Sequence, residues 1–146
     1  MPSSTNGPRL AETGDAQMVE AASKRILIID DASLVRRYYR DALERAGFEV
    51  DEALNGVEAL EKLLGEPADL LIVDVNMPQM DGFTFLRSLR QQAPPIASVP
   101  ALVISTEAGP HDRRAARSAG ANFYLVKPVA QEVLVQHVSI MCGLPA

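Results

Sequence analysis

Short apolar runs recur along this chain, and each one ends on a polar residue. They occupy positions 26–29, 70–73, 101–104 and 123–126, with a half-apolar companion at 48–53. A run of four apolar residues bounded by polar ones reads as a strand buried on both faces, as strands of a parallel sheet are. Between the runs the apolar spacing changes from continuous to helical. Leu34, Tyr38, Ala42 and Ala46, with Val35, Tyr39 and Leu43, give a first helix over 33–46 its apolar face. Val57, Leu60, Leu63 and Leu64 do so for a second, and Phe83, Phe85, Leu86 and Leu89 for a third. A fourth covers 110–119, and a fifth, over 130–142, turns Val133, Leu134, Val138 and Met141 inward.

The boundaries carry their own signals. Ser33 reads as an N-cap, Asn55-Gly56 opens the second helix, and Pro110 suits a first helical turn. Gly47, Gly65 with Pro67, Gly120, and Gly143 with Pro145 close helices, and Pro94-Pro95 forces a loop over 93–98. Five strands and five helices in strict alternation predict an α/β fold: a parallel sheet, right-handed crossovers and helices on both faces. The strand count fits the flavodoxin-like order 2-1-3-4-5, an arrangement taken over from known five-stranded folds rather than derived from this sequence. Residues 1–23, rich in Ser, Thr, Gly, Pro and Ala, read as a flexible tail with a short helical turn near 16–22, and 24–146 as the folded domain.

Open parallel sheets bind ligands at the carboxyl edge of their strands. Here the first strand delivers Asp30 and Asp31 to that edge, the third Asp74, the fourth Ser105 and Thr106, and the fifth Lys127. An acid at a strand end more often caps a turn, a lone Ser is usually a loop hydroxyl, and a Lys before Pro is usually solvated. Such residues at four strand ends together make coincidence a poor explanation. Three carboxylates repel and raise one another's pKa unless a cation sits among them. Carboxylate oxygens with no Cys or His nearby suit Mg2+ better than zinc. A lysine and a hydroxyl opposite suit a phosphoryl group, and an aspartate between them can accept it as an aspartyl phosphate. His111 and His137 fall in helical surface patterns and read as neither ligand nor base.

Composition narrows the function classes. A net charge of −5 argues against a nucleic-acid groove. No run reaches the roughly 20 apolar residues of a membrane span, and no secretory signal is evident. The one cysteine, Cys142, makes no internal disulfide. A soluble cytoplasmic protein is the expectation.

The motifs Ile29-Asp30-Asp31, Asp74-Val75-Asn76-Met77-Pro78-Gln79-Met80-Asp81-Gly82, Ser105-Thr106-Glu107-Ala108 and Tyr124-Leu125-Val126-Lys127-Pro128 resemble those of bacterial response-regulator receiver domains. Asp30-Asp31-Ala32-Ser33 followed by Arg36-Arg37, in a chain that runs only to its last helix, brings the resemblance closest to single-domain chemotaxis regulators of the CheY type. The resemblance implies a phospho-accepting module of a two-component system rather than an enzyme: it catalyses only its own phosphorylation and slow autodephosphorylation. Asp74 would be the phosphoacceptor. Asp31, Asp74 and the backbone carbonyl of Asn76 would hold Mg2+, or Mn2+ in its place, with Asp30 acting through a bound water. Lys127 would contact the phosphoryl group ahead of a cis bond to Pro128. Ser105, where the family often has Thr, and Tyr124 would form the switch, and Asn76 and Glu107 would tune phosphoryl lifetime. The implied partners are a sensor histidine kinase of the CheA kind, and a flagellar motor switch protein or a phosphatase at the surface of helix four, strand five and helix five. A monomer carrying a chemotaxis signal is the expected form, and a phosphorelay shuttle or phosphate sink is the alternative. An aspartyl phosphatase of similar topology fits less well, because Asn76 stands where its general acid would be.

Overall fold

The structure, a computed structural model, describes residues 24–77 and 80–145. The tail and helical turn expected in residues 1–23, and Pro78 and Gln79 of the motif that begins at Asp74, lie outside the described residues. The chain alternates β1 (Arg25–Ile29), α1 (Ser33–Arg45), β2 (Glu49–Ala53), α2 (Gly56–Gly65), β3 (Leu70–Asp74), α3 (Gly82–Arg90), β4 (Ala101–Ser105), α4 (Pro110–Ala119), β5 (Phe123–Val126) and α5 (Gln131–Met141). A 3-10 turn, Ile96–Ser98, follows the cis Pro94-Pro95 bond in the loop before β4. The five strands are all parallel, in the order 2-1-3-4-5.

The alternation of side chains along each strand divides the core in two. Leu27, Ile29, Leu71, Val73, Ala101 and Val103 face one way and pack with Ala59 and Leu63 of α2 and Phe85, Leu86 and Leu89 of α3. Ile26, Ile28, Leu70, Ile72, Leu102 and Ile104 face the other way, against Tyr39 and Leu43 of α1 and Leu134 and Val138 of α5. Every residue of β1, β3 and β4 is buried. Each fully buried Leu or Ile stabilises the fold by about 1.5–3 kcal/mol, so these three strands are the rigid base beneath the carboxyl edge. The apolar run of β5 is not buried on both faces: this strand lies at the sheet's edge, and Phe123 is exposed.

Two helix readings need correction. Ser33 is not the N-cap of α1; Ala32 is, and it has no capping side chain. The Ala32 N–H instead donates to Asp30 Oδ1 at 2.9 Å, so the strand-end acid ties down the start of the helix. The inner face of α1 is the row Arg36, Tyr39, Ala42 and Leu43. Leu34 and Tyr38 are exposed, as are Val57 and Leu64 of α2 and Val133 of α5. Apolar side chains recur on two adjacent rows of these helices, and the sheet covers only one of them. The capping of α2 is as expected: Asn55 Oδ1 accepts from the Glu58 N–H at 2.9 Å. Gly120 ends α4 at φ 118°, a left-handed conformation that suits glycine.

Candidate functional site

Strand register assembles the site. Ile29 pairs with Val73, so Asp30 and Asp74 leave the sheet at the same level. Ser105 pairs with Val126, and the Lys127 N–H donates to the Ser105 carbonyl at 2.7 Å, which carries the lysine to the same edge. Asp30, Asp31 and Asp74 each offer a carboxylate oxygen, and these oxygens lie within 4.8 Å of one another. Lys127 Nζ donates to Asp74 Oδ1 at 3.1 Å and stands 3.8 Å from Asp30 Oδ2. The Lys127-Pro128 bond is cis.

Burial makes this cluster electrostatically costly. Asp30 is 2% exposed and Asp74 7%, while Asp31 is open to solvent. Burial raises the Asp74 pKa and Asp31 adds to the rise, against the hydrogen bond from Lys127. Burial also raises Asp30, opposed by its bond from the Ala32 N–H and reinforced by Asp74. Three carboxylates with one lysine among them leave negative charge uncompensated. That donor set, all oxygen, fits a hard divalent cation.

The remaining expected residues lie on β4, β5, α4 and α5 and in the loops after β3 and β4. Ser105 is buried, and its Oγ accepts from the Glu107 N–H at 3.1 Å. Tyr124 is half-buried; its hydroxyl donates to the Glu107 carbonyl at 2.7 Å, and the Arg113 guanidinium carbon lies 5.1 Å from its ring centroid. Asn76 is exposed in the loop after β3, two residues beyond Asp74. His111 is exposed on α4. His137 bonds the Val133 carbonyl and lies 4.9 Å from the exposed Phe123 ring. Neither histidine belongs to the acidic cluster.

Three residues shape the site in ways the sequence does not show. Gly82 opens α3 directly over the end of β3, where a Cβ would run into the Asp74 carbonyl oxygen and come within 3.0 Å of the Val75 Cα. Its N–H donates to the Val75 carbonyl at 2.8 Å, so the lack of a side chain lets the helix close onto the site. Arg36 is buried and donates from Nη1 to the Asp30 carbonyl at 2.7 Å. Tyr39, 3% exposed, has its phenol pushed well up by burial and by the charges of Asp30 and Asp74. Beside Lys127, an apolar groove of about 490 Å³ runs between α1 and the segment after β5, lined by Leu34, Val35, Tyr38, Tyr39, Pro128 and Val129.

Comparisons with known proteins agree with this geometry. A family model described as the response regulator receiver domain matches residues 26–139. Chemotaxis protein CheY1 of Helicobacter pylori is 37% identical over 121 residues, covering 82% of this chain and 97% of that protein. Sensor protein EvgS of Escherichia coli K12 is 42% identical over 114 residues, 78% of this chain but only 9% of EvgS. Among solved structures, Vibrio cholerae chemotaxis protein CheY4 superposes with a TM-score of 0.76 at 34% identity, over 81% of this chain and 98% of that one. Among the described residues, no helix is long and apolar enough to cross a membrane.

Proposed function

This chain belongs to the response regulator receiver domain family, and from that premise we propose that it is the phospho-accepting component of a two-component system, with Asp74 as acceptor. The observation that carries the reading is Lys127 Nζ at 3.1 Å from Asp74 Oδ1 within a group of three carboxylates. The receiver unit is taken as residues 24–146, preceded by a tail. Asp30, Asp31, Asp74 and the Asn76 carbonyl would hold the cation. A divalent cation such as Mg2+ or Mn2+, when bound there, would supply charge neutralisation for the phosphoryl oxygens. An Asp74 oxygen lone pair attacks phosphorus, and the P–N bond of a kinase phosphohistidine breaks with its electron pair passing to the imidazole. Lys127 follows the transferred group and offsets its charge.

The phosphoryl group brings about −1.5 to −2 units of charge to Asp74. Ser105 then turns its hydroxyl from the Glu107 N–H toward the new oxygens, and Tyr124 moves inward behind it. Asn76 and Glu107 set how readily water reaches the acceptor. Partner binding shifts on the surface of α4, β5 and α5, where Phe123, Val133 and Ile140 are exposed. The similarity to CheY1 over nearly its whole length favours a chemotaxis signal carrier meeting a motor switch protein or a phosphatase. The similarity to a segment of a sensor protein favours, second, a shuttle or sink that returns phosphoryl groups to a kinase or phosphotransfer domain. The test is incubation with acetyl phosphate and Mg2+, then borohydride reduction and peptide mapping. Homoserine at position 74 is expected; no reduced residue, or one elsewhere, overturns the reading. Capture on a motor switch peptide only after phosphorylation separates the first role from the second.

A further inference from the structure

We propose that Arg36 is a positioning residue for the divalent cation, fixing the Asp30–Asp31 peptide while Glu52 holds its guanidinium in place. The inference rests on the reading of the acidic cluster as a cation site. Arg36 is 9% exposed on an α1 face otherwise made of Tyr39, Ala42 and Leu43. A buried charge is expensive, and an apolar residue of similar length would pack this face at lower cost. Its bonds give the charge a task. Nη1 donates to the Asp30 carbonyl at 2.7 Å and Nε to Glu52 Oε1 at 2.7 Å. That carbonyl belongs to the peptide joining the two neighbouring acids of the cluster.

Asp30 is tied through both backbone groups and one carboxylate oxygen. Its N–H donates to the Ala53 carbonyl at 3.1 Å, and its carbonyl accepts from Arg36. Its Oδ1 accepts from the Ala32 N–H, which leaves Oδ2 on the side of Lys127. Asp31, by contrast, is exposed. Where its carboxylate can reach depends on the orientation of the peptide before it, and Arg36 holds that peptide. Behind Arg36, Glu52 also accepts from Arg40, and Arg40 pairs with Glu44. Burial works against the ionised Glu52, yet hydrogen bonds from Arg36 and Arg40 hold its carboxyl below the ordinary range. A line of alternating charges thus runs from the outer face of α1 across β2 to the strand end. Groups that orient metal ligands commonly change affinity about 10- to 100-fold when removed.

The test is Mn2+ binding to the unphosphorylated full chain, followed by electron paramagnetic resonance of the free ion, with thermal melting in chelator for every variant. Arg36→Ala is expected to weaken binding at least about tenfold. Arg36→Lys keeps charge but loses the two-pronged geometry, and Glu52→Gln loosens the arginine; both are expected to weaken binding several-fold. Arg40→Ala breaks only the outer end of the line and is expected to change affinity least. Should Arg36→Ala fail to fold, the Lys and Gln variants decide. Lowered melting with unchanged Mn2+ affinity in these variants makes Arg36 a merely structural tie and overturns the proposal. A wild-type protein that binds no Mn2+ overturns both this inference and the cation reading beneath it.

Discussion

Neutralising Asp30 should stabilise the metal-free protein while impairing its cation site. The substitution is Asp30→Asn, which keeps an Oδ1 acceptor for the Ala32 N–H. Oxygens of Asp30, Asp31 and Asp74 lie within 4.8 Å of one another, so each pair of unit charges repels by about 3.5 kcal/mol at an effective dielectric of about 20. Lys127 Nζ, 3.8 Å from Asp30 Oδ2, returns about 4 kcal/mol on the same scale. Removing the charge deletes two repulsions and one attraction, a relief of about 2–3 kcal/mol. Solvent around the exposed Asp31 reduces that to about 1–2 kcal/mol. For a domain of this size the melting temperature in chelator should rise by roughly 3–8 °C. Saturating Mg2+ should invert the order. The wild type gains about 2.7 kcal/mol at a hundred times its dissociation constant, and the variant, short of an acidic partner for the ion, gains less. Circular dichroism melts in chelator and in Mg2+ measure both. An Asp30→Asn protein that melts at or below wild type in chelator refutes the claim that repulsion dominates this edge.

Further expectations concern pH, backbone approach and the lysine. The folded pKa values of Asp30 and Asp74 are raised above 3.8, so their contribution to stability is full below 3.8 and lost as pH rises through the folded values. Asp51, Glu52 and Asp81 are lowered, so theirs is present above the ordinary carboxylate range and lost as pH falls through their folded values. Metal-free urea midpoints should therefore rise as pH drops from neutral toward the carboxylate range and fall below it, and Asp30→Asn should flatten the first limb. Gly82→Ala pushes a methyl into the Asp74 carbonyl and should slow acetyl phosphate labelling at least about tenfold, as small misplacements of reacting groups do. Gly65→Ala, with open space around it, should label at the wild-type rate. Lys127→Met should retain Mn2+ binding yet lose most labelling, because the charge that follows the phosphoryl group is gone; wild-type labelling kinetics would refute that role.

The sheet and its edge were legible because buried parallel strands leave continuous apolar runs, and because the residue after each run is carried to a predictable place. Asp30, Asp74, Ser105 and Lys127 needed only strand order to be brought together. Helix faces were less legible. Leu34 and Tyr38 satisfy the same spacing as Val35 and Tyr39, and only packing against the sheet decides which row is covered. Arg36 was hidden for a related reason: a charged residue in a helical pattern reads as solvated, and its burial depends on a strand-end carbonyl and on Glu52, far away in sequence. Gly82 stands at the end of the motif that begins at Asp74. Its role lies in the approach of α3 to β3, which no local pattern encodes.

The acceptor itself is tested most directly by intact mass after incubation with acetyl phosphate and Mg2+, with Asp74→Asn and a chelator control alongside. The wild type should gain one phosphoryl group, and neither the variant nor the chelated sample should gain any. A variant that labels as fast as wild type, or a wild type that never labels while binding the ion, contradicts the assignment of Asp74.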